Sequence, residues 1–293
     1  MSALQQQVER AASLIAGADA LIITAGAGVG VDSGLPDFRG GAGFWGAYPA
    51  LGRAGLQFDE IACPQSFIDT SDLAWGFYGH RLNLYRTTTP HDGFQLLLDI
   101  GNRLPLGSFV FTSNVDGQFQ KAGFDEGRII ECHGSIHHLQ CMDGCEDHVW
   151  SATGFNPEVD EAECLMRSRM PTCPHCRKIA RPNILMFNDW KWLAHRKYEQ
   201  QMRYRRWRAA VTQPVVIEIG AGTAIPSVRV FGEEQDCPMI RINPSDADAT
   251  NADDVSLLLG GLAGISAIAE GLTKTGFFQR PVLAFDDVES DYF

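Results

Sequence analysis

The chain has 293 residues, of which 45% are hydrophobic and 20% charged, enough to bury a large core in one big domain or in a domain with a smaller companion. No apolar run approaches the roughly 18 residues a membrane span needs, and the N-terminal stretch to Ala20 lacks the basic-then-apolar order of a signal peptide, so a cytoplasmic globular protein is expected. A formal net charge of −12 argues against a surface built for nucleic acid, whose phosphates need positive potential.

Helical apolar spacing runs from about Leu4 to Ile15, and Ala20 to Thr24 reads as a short buried strand. Leu73 to Arg86 returns to helix, Ser108 to Asn114 is a strand entering a polar loop, and Arg128 to Ser135 repeats that form. Pro214 to Thr223 runs a strand into glycines, Met239 to Ser245 does so again, and Val255 to Ala269 reads as a closing helix. Buried strands alternating with helices predict an α/β fold with a doubly wound parallel sheet of Rossmann-like type, whose ligand sits beyond the carboxyl ends of the strands.

Two stretches interrupt this pattern, the mostly helical Gly41 to Tyr85 and the cysteine-rich His137 to about Trp190. The expected division is a nucleotide-binding domain from 1–40, 87–136 and 212–293, a helical insertion over 41–86, and a metal-binding and substrate-binding module over 137–211. Within the last, Lys191 to Arg208 holds seven Lys and Arg against the single acid Glu199, an amphipathic helix with a solvated basic face or a docking site for an acidic partner.

Thr24 to Gly40, TAGAGVGVDSGLPDFRG, packs five glycines beside two aspartates and an arginine. A dehydrogenase fingerprint would need glycine at 26, 28 and 31, but Val31 stands at the last position and the third glycine is Gly30. The glycines still suit backbone N–H groups approaching a pyrophosphate. The tail, GLPDFRG, places an acid, a ring and a cation where they can surround the nicotinamide end of the nucleotide.

Eight cysteines in a chain without an export signal read as thiols or metal ligands rather than disulfides. Cys141 and Cys145, then Cys173 and Cys176, form two short-spaced pairs separated by 27 residues, the arrangement in which four thiolates close a tetrahedral structural zinc site. The rivals are a redox pair at Cys173 and Cys176, or replacement of one thiolate by His148, His175 or Cys164. Cys63, Cys132 and Cys237 read as small buried hydrophobes.

GAGVGVDSGLPDFRG resembles the first signature of the sirtuins, the NAD-dependent protein deacylases, with Gly30 where serine is usual. TSNVDGQFQKAG from Thr112 to Gly123 is similar to the second, with Ser113 in place of glutamine. His133-Gly134, the cysteine quartet, RPNILMF from Arg181, GAGT from Gly220 and INP from Ile242 follow in the family's order.

The resemblance implies NAD and zinc as cofactors and an acyl-lysine protein or peptide as substrate, with the acyl oxygen attacking C1′ of the nicotinamide ribose. It places Gly26, Ala27, Gly28, Asp37, Phe38 and Arg39 in the cofactor loop, Ser113, Asn114 and Asp116 at the nicotinamide and ribose, and Gly222, Thr223 and Asn243 on the adenosine side. It makes Asn114, Asp116 and His133 catalytic. An amide and a carboxylate suit a carboxamide and a developing positive charge, and an imidazole suits a general base near neutral pH. Ala224 stands where serine is usual.

Tyr78 and Arg81 form a Y-x-x-R pair on one helical face, similar to the one by which the desuccinylase and demalonylase subgroup recognises acidic acyl chains. Guanidinium and phenol can clamp a carboxylate. The alternative is a packed Tyr78 with Arg81 in solvent and simple deacetylation. Asn183 to Asp189 aligns with the segment that pairs with substrate peptide as an added strand, giving Ile184 and Phe187 as substrate contacts, with Asn188-Asp189 in place of Gly-Glu. A protein lysine deacylase releasing nicotinamide and 2′-O-acyl-ADP-ribose is the leading expectation. An ADP-ribosyltransferase or NAD glycohydrolase on the same scaffold, or a non-catalytic NAD sensor, are the alternatives.

Overall fold

The structure, a computed structural model, describes residues 2–37, 40–248 and 251–283. Helix α1 (Ala3–Gly17), started by a Ser2 side-chain cap on the Gln5 N–H, leads into the fully buried strand β1 (Ala20–Ala25). A 3-10 segment, Ala27–Ser33, follows the first glycine. Five helices come next: α2 (Gly40–Ala47), α3 (Pro49–Arg53), α4 (Phe58–Ile61), α5 (Ser66–Asp69) and the long α6 (Ser71–Thr87). Helix α7 (Asp92–Gly101), strand β2 (Ser108–Thr112), the short helix α8 (Gln118–Lys121) and strand β3 (Ile129–Glu131) return to the large sheet.

The second interruption holds strands β4 (Gly134–Cys141), β5 (Val149–Ser151), β6 (Val159–Asp160), β7 (Leu165–Met166) and β8 (Ala180–Ile184). Helix α9 (His195–Ala210), β9 (Pro214–Ile219), α10 (Ser227–Glu233), β10 (Met239–Ile242), β11 (Val255–Leu257) and α11 (Gly261–Lys274) complete the chain. The predicted closing helix over Val255 to Ala269 is thus two elements. The Val255–Leu257 segment joins the sheet edge beside β10, and helix begins only at Gly261.

The large sheet is parallel throughout, in the order β11-β10-β9-β1-β2-β3. Its strands read as continuous apolar runs because helices cover both faces: α1, α7 and α11 on one, α9 and α10 on the other. From β1 the chain moves outward to β3, then returns beside β1 and moves outward the other way. The strand order therefore reverses between β1 and β9, and the carboxyl ends at that switch point are where this architecture binds ligands.

The smaller lobe takes its core from both interruptions. Phe44, Leu51, Phe67, Trp75, Phe77 and Tyr78 from the helices interlock with Ile136, Leu139, Met142, Met166, Ile184 and Met186 from the strand region. Helix α9 departs from the expected boundary at 211. Tyr204 packs edge-on and Trp207 at a tilt against Phe109 of β2, so this helix lies on the large sheet and not in the small lobe. Nor is its basic face wholly solvated, since Arg196 pairs with the buried Glu131 at 3.0 Å and Arg203 bonds to the Gly127 carbonyl. Among the described residues no helix is long and apolar enough to cross a membrane.

Candidate active site

The loops after β1 and β9 meet main chain to main chain. Gly26 N–H donates to the Ile219 carbonyl at 3.0 Å and Gly28 N–H to the Gly220 carbonyl at 3.1 Å. A Cβ on Gly26 would lie 2.7 Å from Gly220 O, and one on Gly220, whose φ is +60°, would lie 2.5 Å from the Gly28 backbone. Only glycine lets the two turns approach this closely. A side chain unforeseen from the sequence locks the first loop: His91 Nε2 donates to Val29 O at 2.9 Å while its Nδ1 accepts from Gly93 N–H. A lone histidine before a helix is a weak signal. Gly30 also has a local reason, because a serine Cβ there would press on Leu35 at 3.2–3.3 Å.

The end of β2 is tied to that loop. Thr112 Oγ1 donates to Ala25 O and accepts from Asn114 N–H, both at 3.0 Å, while Asn114 Nδ2 donates to Gly26 O at 3.1 Å. Ser113 adds a main-chain bond to Ala25 O. Two residues on, Asp116 is buried, its Oδ1 accepting from Gln118 N–H at 2.9 Å and its main-chain oxygen from His137 Nε2 at 2.8 Å. Burial pushes its carboxyl up to about 6, with Glu131 adding and the Gln118 bond and Arg81 opposing. A cavity of about 300 Å³ opens behind it, lined by Tyr85, Lys121, His137 and Arg196 among others.

His133 follows β3, the neighbour of β2, so the three expected catalytic residues come from adjacent strand ends. Its half-buried ring is held below the usual histidine pKa by burial and by the charge of Lys197, against a hydrogen bond to the Ser113 main chain. The imidazole is therefore neutral at pH 7 and able to take a proton. Its Nε2 lies 3.4 Å from Ser227 Oγ at the start of α10.

The remaining cofactor residues divide. Ala27, Gly222 and Thr223 are exposed in the two loops, and Asp37 is half-buried beyond the 3-10 segment. Asn243 is fully buried: Nδ2 donates to Ala221 O at 3.0 Å and Oδ1 accepts from Ser245 and Asp246 N–H. It braces the Gly220–Thr223 loop from beneath instead of lining the crevice. Phe38 and Arg39 lie outside the described residues.

In the small lobe the sulfurs of Cys141, Cys145, Cys173 and Cys176 all lie within 4.8 Å of one another. Cys141 to Cys176 is 3.6 Å and Cys145 to Cys173 is 3.5 Å. Four thiolates about 2.3 Å from one tetrahedral ion would stand about 3.8 Å apart, so the set fits zinc with the coordination closed to water.

A Sir2 family model matches residues 26–225, spanning both glycine loops, the β2 and β3 ends and the cysteine quartet. The chain belongs to the Sir2 family. It is 24% identical over 257 residues to an NAD-dependent protein deacylase of Aquifex aeolicus (strain VF5), covering 87% of this chain and 95% of that one. It is 26% identical over 251 residues to one of Thermococcus sibiricus (strain DSM 12597 / MM 739), covering 85% and 89%. A Sir2 homologue solved with NAD superposes with a TM-score of 0.67 at 23% identity over 90% of this chain and 93% of that one. One bound to a myristoylated histone peptide gives 0.58 at 18%, over 92% and 98%.

On this Sir2 scaffold Tyr78 and Arg81 both face inward from α6. Tyr78 stacks on Phe67 at 5.5 Å. Arg81 is 7% exposed, so the alternative in which its guanidinium faces solvent fails, although Tyr78 is packed as that alternative had it. It lies 5.2–5.7 Å from the ring centroids of Phe77, Tyr78 and Tyr85, and its Nε donates to Tyr85 OH at 3.0 Å.

The segment expected to receive peptide also has its donors committed within this Sir2 chain. Leu185 N–H bonds to His133 O at 2.8 Å, Phe187 N–H to Ala62 O at 2.9 Å, and Met186 N–H to Asp189 Oδ2 at 3.3 Å. Ile184 is buried in β8, and Phe187 sits edge-on to Phe58. A strand added here would be met by carbonyls and side chains rather than by those N–H groups.

Proposed function

We propose that this chain is an NAD-dependent protein lysine deacylase that works in the cytoplasm, releasing nicotinamide, 2′-O-acyl-ADP-ribose and the free lysine of a protein or peptide. The observation that carries the reading is the neutral base His133 beside Asn114 and Asp116, at the switch-point crevice of a Sir2-family sheet. The names of the curated relatives and the NAD-bound Sir2 homologue support it.

Bound NAD supplies the electrophilic C1′ and nicotinamide as leaving group. The protein's part is electrostatic and positional. The Gly26–Gly28 and Gly220–Thr223 loops, with Asp37, would hold the nucleotide. Asn114, pinned to Gly26 O, presents an oxygen acceptor to a carboxamide. Asp116, with its carboxyl near 6, is ionised at neutral pH and stabilises positive charge developing nearby. His133 takes a proton at Nε2, a contribution typically on the order of 10²–10⁴ in rate.

The finer reading is a preference for acyl chains that end in a carboxylate. Arg81 supports it as a buried cation in an aromatic surround, close enough to Asp116 for their charges to interact. Lys191, just before α9, and Arg205 and Arg206 on it are exposed and are where an acidic partner would dock.

The test is to incubate the protein with NAD and matched acetyl-, succinyl- and malonyl-lysine peptides, following nicotinamide and peptide mass, with His133→Ala and Arg81→Met alongside. Acyl loss that requires His133 is the expected result, and selective loss of acidic-acyl activity in Arg81→Met supports the clamp. Nicotinamide release without acyl loss would replace the reading by an ADP-ribosyltransferase or glycohydrolase.

A further inference from the structure

His133 and Ser227 are 94 positions apart, yet Ser227 Oγ lies 3.4 Å from His133 Nε2. Ser227 is the first residue of α10 and is half-buried. The main chain of Ser113, at the end of β2, also bears on the ring. When the serine hydroxyl donates to Nε2, the single proton of the neutral imidazole sits on Nδ1 and the lone pair on Nε2 is the acceptor. Helix α10 follows the Gly220–Pro226 loop, so the serine also ties the base to the loop expected to hold nucleotide.

We propose that Ser227 is a positioning residue for His133: its hydroxyl holds the imidazole in the Nδ1–H tautomer, aimed into the crevice, until a hydroxyl of the substrate takes its place at Nε2. The inference rests on the deacylase reading for its kinetic consequences only. A donor to the neutral ring disfavours the imidazolium, so losing the hydroxyl raises the pKa of the base. Lys197, projecting from the helix packed on β3, is the charged group that bears on the ring, and it acts in the same direction. The contact at 3.4 Å is long for an O–H···N bond, as catalytic pairs commonly are before substrate tightens them.

The test compares Ser227→Ala and Ser227→Thr with the native chain in two measurements. In the ligand-free protein, the His133 ring resonance is titrated by NMR. Ser227→Ala moves its midpoint upward and Ser227→Thr, which keeps the hydroxyl, restores it. With NAD and acyl peptide, Ser227→Ala lowers kcat by about tenfold with KM little changed, and its acid limb moves to higher pH. Combined with His133→Ala it adds no further loss, because it acts through that ring. An unmoved NMR midpoint in Ser227→Ala, or a threonine variant that fails to restore it, overturns the proposal. A native chain without deacylase activity would remove the proposed function, while the titration would still decide the role of Ser227.

Discussion

Arg181 and Asp189 form a two-pronged ion pair with both side chains fully buried, Nη1 to Oδ2 and Nη2 to Oδ1 each at 2.8 Å. The chain between them folds around the pair. Arg181 Nη1 also donates to Ile184 O, while Asp189 accepts from the N–H groups of Met186 and Lys191. The replacement of Gly-Glu by Asn188-Asp189 thus has a structural meaning, because the carboxylate is the anchor of the loop beside His133 and Asn188 turns it at φ +54°.

Removing one partner leaves an uncompensated buried charge, which costs about 3–5 kcal/mol. Asp189→Ala should lower the thermal midpoint by on the order of 10 °C and raise the KM for peptide. Arg181→Met with Asp189→Leu should recover most of the stability but not the KM. Calorimetry and peptide kinetics on the three variants decide this.

Activity requires Asp116 ionised and His133 neutral. Asp116 has been raised to about 6 and His133 lowered below its ordinary value, so both protons leave below pH 6.5. The rate should be flat from pH 7 to 8, fall beneath about 6 as Asp116 takes its proton, and steepen beyond one proton where His133 joins it. In Asp116→Asn the residual rate should follow a one-proton limb. A one-proton limb in the native chain would separate the two groups.

The same carboxyl shapes stability. Its folded pKa lies above the unfolded value of about 3.9, so the folded state binds the proton more tightly. This contribution weakens as pH rises from about 4 to about 6 and is constant above. Asp116→Asn should therefore be more stable than the native chain at pH 7.5 by about 1–3 kcal/mol, and nearly equal to it at pH 4, as urea unfolding at the two pH values will report.

Gly26→Ala and Gly220→Ala each force a Cβ into main chain at 2.7 and 2.5 Å, whereas nothing lies within 4 Å of a Cβ on Gly222. The first two should lose several kcal/mol of stability together with NAD binding. Gly222→Ala should fold normally, and calorimetric titration with NAD then tests whether the nucleotide approaches that backbone.

Zinc analysis should give one ion per chain. Strong chelation, or Cys173→Ser, should expose the small lobe to proteolysis, since the metal joins the loop after β4 to the hairpin before β8.

Much of this was legible in the chain. The strands of the large sheet, the glycine turns and the four cysteines carry local signals of burial, backbone freedom and ligand spacing. Val255–Leu257 did not, because a short apolar run suits strand and helix equally and only the sheet edge beside β10 decides. The inward turn of Arg81, the bracing by Asn243 and the seating of α9 on Phe109 depend on partners distant in sequence. His91 and Ser227 carry no pattern of their own, and only the folded contact reveals them.

The small lobe's single core, shared between the helices before β2 and the strands after β3, bears on how the protein is made. During synthesis the aromatic face of Phe44, Trp75 and Phe77 leaves the ribosome roughly 100 residues before Ile184 and Met186 arrive to cover it. At about 5–20 residues per second that is an interval of several seconds in which the helices' shared core is incomplete. Neither interruption is a module that can be excised or grafted. A nascent chain halted near residue 130 should be a client for chaperones, and full-length yield should depend more on them than on the stability of the finished fold.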